Sequence, residues 1–214
     1  MLALHTISLA LKEGPVLLKP MTLRIAPGET VTLMGPSGAG KSALLSFIGG
    51  DLPTAFVASG DVRLKGHSVL ALPPEKRRIG RLFQDDFLFP HMTVGENLLF
   101  ALPRMAHRAR LEKMLAALAQ VELEGFAGRP PQTLSGGQRA RVALMRVLLS
   151  EPAAILLDEP FSKLDASLRA AMRALTFRMI RERKIPALLV THDRDDAPEG
   201  GRVLVIRNGE VSDA

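Results

Sequence analysis

The chain has 214 residues, 47% hydrophobic and 23% charged, with 28 Lys and Arg against 22 Asp and Glu for a formal net charge of +6. A chain of this length with charges of both signs throughout can bury a core, is expected to form one domain with an insertion, and is neither disordered nor collagen-like. Cysteine is absent, which removes disulfides, thiolate metal sites and a cysteine nucleophile, and no apolar run approaches the roughly 18 residues of a membrane span.

In chain order, period-two alternation over Leu2–Leu11 and Val16–Ile25 around Gly14-Pro15 predicts an antiparallel hairpin. Residues 1–14 lack the basic start of a secretory leader, so the chain is expected to be neither secreted nor membrane-spanning. After Pro27-Gly28, the apolar run Thr30–Met34 leads into a glycine-rich loop and a helical stretch over 41–48. A strand is expected over 78–83. From 94 to 121 the pattern turns helical, with Leu111, Leu115 and Leu118 at helical spacing, and Gly128, Pro130 and Pro131 close this stretch.

A helix from Ser135, a strand over 153–157, a helix over 168–183 and a strand over Ala187–Thr191 then alternate, the pattern of a parallel, doubly wound sheet. Asn208-Gly209 between short apolar runs predicts a closing hairpin. The net positive charge could attract nucleic acid, nucleotide phosphate or an anionic membrane face, and a generally Arg-rich composition accounts for it equally well.

The strongest local pattern is Gly35, Pro36, Ser37, Gly38, Ala39, Gly40, Lys41 and Ser42, the phosphate-binding GxxxxGK[ST] loop between an expected strand and an expected helix. Its glycines let successive N–H groups turn toward phosphate oxygens while the helix presents its positive end. Lys41 would reach the β and γ phosphates of a nucleoside triphosphate and Ser42 would ligate Mg2+. A plain glycine turn explains the glycines and leaves the Lys-Ser pair unexplained.

Further on, an apolar strand delivers Asp158 and Glu159 to the carboxyl edge of the sheet. Asp158 is assigned to Mg2+ and Glu159 to the water that attacks the γ phosphate, with a solvated turn as the alternative for this pair alone. In Leu134-Ser135-Gly136-Gly137-Gln138, Ser135 and Gln138 form a capping box whose helix start can hold an anion. The cap alone suits any helix start, but the two glycines strip side chains from its tip, and the expected visitor is the γ phosphate of ATP on another subunit.

Taken in order, the GPSGAGKS loop, Gln84, LSGGQ, the strand ending in Asp158-Glu159-Pro160, Leu164-Asp165 and His192 resemble the ABC-type ATPases over essentially the whole chain. The resemblance implies an α/β P-loop NTPase core with a parallel sheet, an N-terminal antiparallel β subdomain and an inserted helical subdomain, with the core at about 1–86 and 134–214 and the insertion at about 87–133. It implies a head-to-tail dimer with two composite sites. One subunit gives Lys41, Ser42, Ala43, Asp158 and Glu159, the other gives Ser135, Gly136, Gly137 and Gln138, and Asp165 belongs to the nucleotide-contacting set. His192 resembles the switch histidine that holds the attacking water with Glu159. Gln84 resembles the lever that contacts magnesium and water.

Residues 87–94 are similar to a stretch of bacterial importer subunits for small organic solutes, polyamines, sulfate or iron. The resemblance thus implies ATP-driven import through a separate transmembrane permease, a solute-binding protein acting through it, no nucleic-acid partner, and a cytoplasmic place on the inner membrane face. Phe87, Leu88 and Phe89 could floor a groove for a permease helix, or simply pack the insertion on the core. An exporter subunit, a soluble ABC ATPase and a P-loop kinase are the alternatives.

The chain departs from the family pattern at four places. No aromatic residue stands near Lys12 to stack on adenine, so weaker base discrimination is expected; Ala43 replaces a common threonine; Lys163 replaces a small residue before Leu164-Asp165; and the sequence ends soon after Gly209, so no regulatory domain is expected beyond it.

Overall fold

The computed structural model describes residues 1–214. The chain divides into two compact units, Met1–Arg81 with Ala153–Glu159 and Phe177–Ala214, and Leu82–Pro152 with Pro160–Thr176. Strands β1 (Leu2–Leu11), β2 (Val16–Ile25) and β3 (Thr30–Met34) precede helix α1 (Lys41–Gly49), and β4 (Phe56–Leu64), β5 (His67–Ser68) and β6 (Ile79–Leu82) follow it. Helices α2 (Val94–Ala101), α3 (His107–Gln120) and α4 (Gly136–Leu149) come next, then β7 (Ala154–Asp158), α5 (Ala166–Glu182), β8 (Ala187–Thr191), β9 (Val203–Arg207) and β10 (Glu210–Asp213).

A four-stranded antiparallel sheet runs β2-β1-β4-β5 and a six-stranded sheet runs β10-β9-β3-β8-β7-β6. In the second sheet β3 is parallel to β8 and β9, β7 is parallel to β8, and β10 closes antiparallel on β9 as Asn208-Gly209 predicts. Strands β7 and β8 are apolar almost throughout because both of their faces are buried, which is why they read as continuous runs, and β3 is buried likewise although it carries Thr30 and Thr32.

Both sheets and α1 of the first unit contribute to one hydrophobic cluster that includes Ile7, Leu18, Leu33, Leu44, Ile48, Leu156 and Val190. Each such side chain is fully excluded from solvent, worth roughly 1.5–3 kcal/mol of burial. This core fixes α1 against β7, and so sets the phosphate-binding loop beside the end of β7.

β4 carries no clean period-two signal, because Gly60 interrupts it at a register shift opposite His5 to Ser8. A Cβ on Gly60 would lie 2.6 Å from the carbonyl oxygens of His5 and Thr6, so only glycine fits there.

In the second unit α2 packs on α3 and α4. The single helical stretch expected over 94–121 is two helices, and the break has a local cause: Leu102, ahead of Pro103, is extended at ψ 138. Helix α2 starts in a capping box of Thr93 and Glu96, and the fully buried Asn97 donates its amide to the carbonyls of Phe89, Met92 and Thr93. Those bonds shape the loop that carries Phe87 to Met92. No helix is long and apolar enough to cross a membrane.

Candidate functional site

The loop from Gly35 to Gly40 joins β3 to α1. Gly38 and Gly40 sit at φ 80 and φ 85, a left-handed backbone that turns the chain sharply into the helix. Helix α1 has no side-chain cap and no acidic residue in its first turn, which leaves its starting N–H groups open to an anion.

Lys41 is 7% exposed, and its Nζ donates to the carbonyls of Gly35 at 2.7 Å and Pro36 at 3.0 Å. Burial holds its pKa below the ordinary 10.5, although the charges of Glu159 and Asp158 act the other way. A buried ammonium satisfied only by loop carbonyls is well suited to exchange them for phosphate oxygens.

At the end of β7, Ser42 Oγ donates to Asp158 Oδ1 at 3.0 Å, and Arg81 Nη2 donates to Asp158 Oδ2 at 2.6 Å. Register places Asp158 beside Val190 and Met34 beside Thr191, so β3, β7 and β8 bring their carboxyl ends to one edge. Glu159 follows at φ 46, unusual for a glutamate, with its N–H donating to the Val190 carbonyl at 3.0 Å. Its Oε2 lies 3.0 Å from His192 Nδ1. Behind His192, Thr191 Oγ donates to Asp196 Oδ2 at 2.8 Å and accepts from the Asp193 N–H at 3.0 Å, fixing the turn that aims the imidazole.

Ser42 and Asp158 thus offer two hard oxygens at one place, and no cluster of three or more His, Cys, Asp or Glu exists that could hold a metal by protein ligands alone. That donor set fits Mg2+, which takes one or two protein oxygens and completes its shell with phosphate and water.

The second unit holds the remaining expected residues. Ser135 Oγ accepts from the Gln138 N–H at 3.3 Å and Gln138 Oε1 accepts from the Ser135 N–H at 3.0 Å, so the capping box opening α4 is formed. Ser135 and Gly136 are exposed while Gly137 is buried. A Cβ on Gly137 would stand 2.6 Å from both Leu168 methyl groups, so that flexible side chain would have to move aside, whereas one on Gly136 meets only Arg139 at 3.8 Å. Asp165 Oδ1 accepts from the Leu168 N–H and the Ser167 hydroxyl; these bonds hold its carboxyl below the ordinary range.

Gln84 is exposed and lines a small cavity with Asp85, Asp86, Arg139, Phe161 and Lys163. Here Lys163 pairs with Asp85 and Arg139 with Asp86, so each carboxylate after Gln84 has its own cation. Lys163, unusual in sequence, therefore has a structural partner. Arg146 donates to the Phe87 and Asp86 carbonyls and holds the same segment from α4. Phe87 and Phe100 are 60% and 63% exposed; Phe87 meets Phe83 edge-on, and Phe100 meets Phe89 likewise. Sequence reasoning missed Arg81, Asn97, Arg146, Phe100 and Asp196; the arginine inside the otherwise uncharged β6 is the one readable signal among them.

Fold and strand-end carboxylates together define a P-loop nucleoside triphosphatase. The profile of the family described as ABC transporter matches residues 18–162. The chain is 46% identical over 205 residues to the uncharacterized ABC transporter ATP-binding protein YnjD of Escherichia coli strain K12, covering 95% of this chain and 94% of that one. It is 42% identical over 212 residues to the sn-glycerol-3-phosphate import ATP-binding protein UgpC 2 of Rhizobium johnstonii, of which it spans 61% while matching over 98% of its own length. Among solved structures, the dimeric ATP-binding cassette MJ0796 in a post-hydrolysis state bound to ADP and Pi superposes with a TM-score of 0.82 at 34% identity, covering 100% of this chain and 98% of that one. The chain belongs to the ABC transporter family as an ATP-binding domain, and it is an ATP hydrolase.

Proposed function

We propose that this ATPase powers the import of a small solute through a separate permease, working as a dimer at the inner face of the membrane. The observation that carries the hydrolytic part is the Glu159–His192 contact of 3.0 Å, one residue along from the Asp158 carboxylate that accepts from Ser42. The likeness to UgpC 2 supports import, and the dimeric MJ0796 cassette supports a working dimer.

In this reading the loop N–H groups and Lys41 bind the phosphates of ATP, and Lys41 gives up its two carbonyl partners to do so. Ser42 and Asp158 would hold Mg2+. The metal, when bound, neutralises charge on the phosphates and orients them. The Glu159 carboxylate accepts the proton of the attacking water, and His192 holds that carboxylate in place at Oε2. The left-handed backbone at Glu159 is kept by its N–H bond to Val190, which makes the direction of the carboxylate a property of the sheet rather than of a loose turn.

Ser135 and Gly136 close the site of the partner subunit, where the open helix start meets the γ phosphate. Phe87 and Phe100 form the exposed apolar face on which a permease segment docks, beside the Gln84 segment that senses it. A solute-binding protein delivers the cargo to that permease.

The test is recovery of the tagged chain from detergent-solubilised membranes. The wild type brings down a polytopic permease and Phe100→Ser loses it while keeping its own ATP hydrolysis. In the recovered complex, ATPase activity rises on adding the solute-binding protein encoded with that permease. Recovery of the permease with equal yield by Phe100→Ser rejects the docking face; stimulation by lipid substrate without any binding protein points to export and rejects import.

A further inference from the structure

Arg81 is the only charged side chain of β6, and both it and Asp158 are 14% exposed. Its Nη2 donates to Asp158 Oδ2 at 2.6 Å, while Nη1 donates to Ser46 Oγ at 3.0 Å and to Asp51 Oδ2 at 3.3 Å. The two carboxylate oxygens of Asp158 are therefore divided, Oδ1 facing Ser42 and Oδ2 held by a guanidinium that is itself anchored from α1 and from Asp51. A carboxylate held this way cannot turn freely, and its charge is already half answered before any metal arrives.

We propose that Arg81 is a positioning residue that serves as a resident counter-cation at the magnesium carboxylate: it aims Asp158 Oδ1 at Ser42 and, by sharing the carboxylate, limits how tightly Mg2+ is held while easing approach of phosphate when the metal is absent. The proposal rests on the assignment of Mg2+ to Ser42 and Asp158. The physical reason is that two cations on one poorly solvated carboxylate repel each other, whereas without either cation Asp158 and Glu159 repel an incoming phosphate. Arginine suits the role because its planar donors reach Asp158, Ser46 and Asp51 together.

The two effects have opposite signs, which separates them from a merely structural contribution. The probe is a fluorescent N-methylanthraniloyl ADP, titrated against the full chain in EDTA and again with increasing Mg2+. Arg81→Met is expected to lower the Mg2+ concentration that gives half-maximal enhancement of binding, on the order of tenfold, and to weaken binding of the same probe in EDTA. Arg81→Lys keeps the charge and is expected to stay near the wild type in both; Arg81→Gln, which keeps a neutral donor, follows Arg81→Met and replaces it should that variant fold poorly.

Equal losses in EDTA and in Mg2+, or no change in either, overturn the proposal. Asp158→Asn distinguishes this from failure of the metal assignment. If it leaves the Mg2+ dependence of the wild type intact, the metal is not at Asp158 and both readings fall. If it abolishes that dependence while Arg81→Met preserves it unchanged, only the role of Arg81 is lost.

Discussion

The imidazole Nδ1 of His192 and the carboxylate Oε2 of Glu159 stand 3.0 Å apart although 33 residues separate them in sequence. Parallel pairing of β7 with β8 makes this contact, because Asp158 lies beside Val190 and each strand then needs only one or two more residues to bring its polar group to the edge. His192 is itself 61% exposed, so the pair faces outward from the sheet end, where a substrate can reach it.

Replacing His192 by Ala should therefore lower kcat on the order of 10²-fold, because the Glu159 carboxylate loses the partner that holds it in place, while nucleotide affinity stays near the wild-type value. Steady-state hydrolysis together with an equilibrium nucleotide titration checks it. A parallel fall in affinity would place His192 in binding rather than in the chemical step.

The two glycines of the α4 start should behave differently from each other. Gly137→Ala places a methyl group 2.6 Å from the Leu168 methyls, so that flexible side chain has to move aside, and Tm should fall modestly, by the equivalent of about 1 kcal/mol. Gly136→Ala meets only the far end of Arg139 at 3.8 Å, so its Tm should hold, yet hydrolysis should fall on the order of tenfold or more, because the added methyl keeps the partner's phosphate at a distance. Thermal melts and ATPase rates of the two variants decide the matter, and an inverted pattern would contradict it.

Mild acid should loosen two helix starts. The Thr93 backbone N–H, and after it the Thr93 hydroxyl, hold Glu96 below its ordinary carboxylate value, and the Leu168 N–H, followed by the Ser167 hydroxyl, does the same for Asp165. A depressed carboxylate pKa stabilises the fold above the unfolded value and loses that contribution as pH falls through the folded value. The wild type should thus melt above Glu96→Gln and Asp165→Asn at neutral pH, with the gap closing below about pH 4. A gap that widens on acidification would reverse the sign and reject the assignment.

How much of this was legible in the sequence depended on whether the signal was local. The phosphate-binding loop, the Ser135–Gln138 cap and the closing Asn208-Gly209 hairpin are each encoded within a few neighbouring residues, and each stands where it was expected. β4 escaped notice because its pattern is broken by Gly60, whose need arises only from the carbonyls of His5 and Thr6 across the sheet.

The same holds for partners brought together by the fold. Lys163 reads as an oddity until Asp85 is found opposite it, and Leu11, with no aromatic neighbour along β1, proves to have Phe56 of β4 as its cross-strand partner. Arg81 was visible as a charge within an apolar strand, but nothing in the sequence says that it reaches Asp158. Periodicity reports which face a residue takes; it does not report what lies across from it.

The central claim is that Glu159 activates water in a site that two subunits close around ATP. The most direct measurement is the association state of Glu159→Gln with Mg2+ and ATP, by size-exclusion chromatography with light scattering. A stable dimer retaining unhydrolysed ATP, with the ADP-bound form monomeric, is the predicted result. A variant that turns ATP over at the wild-type rate, or that stays monomeric with ATP bound, would contradict the account.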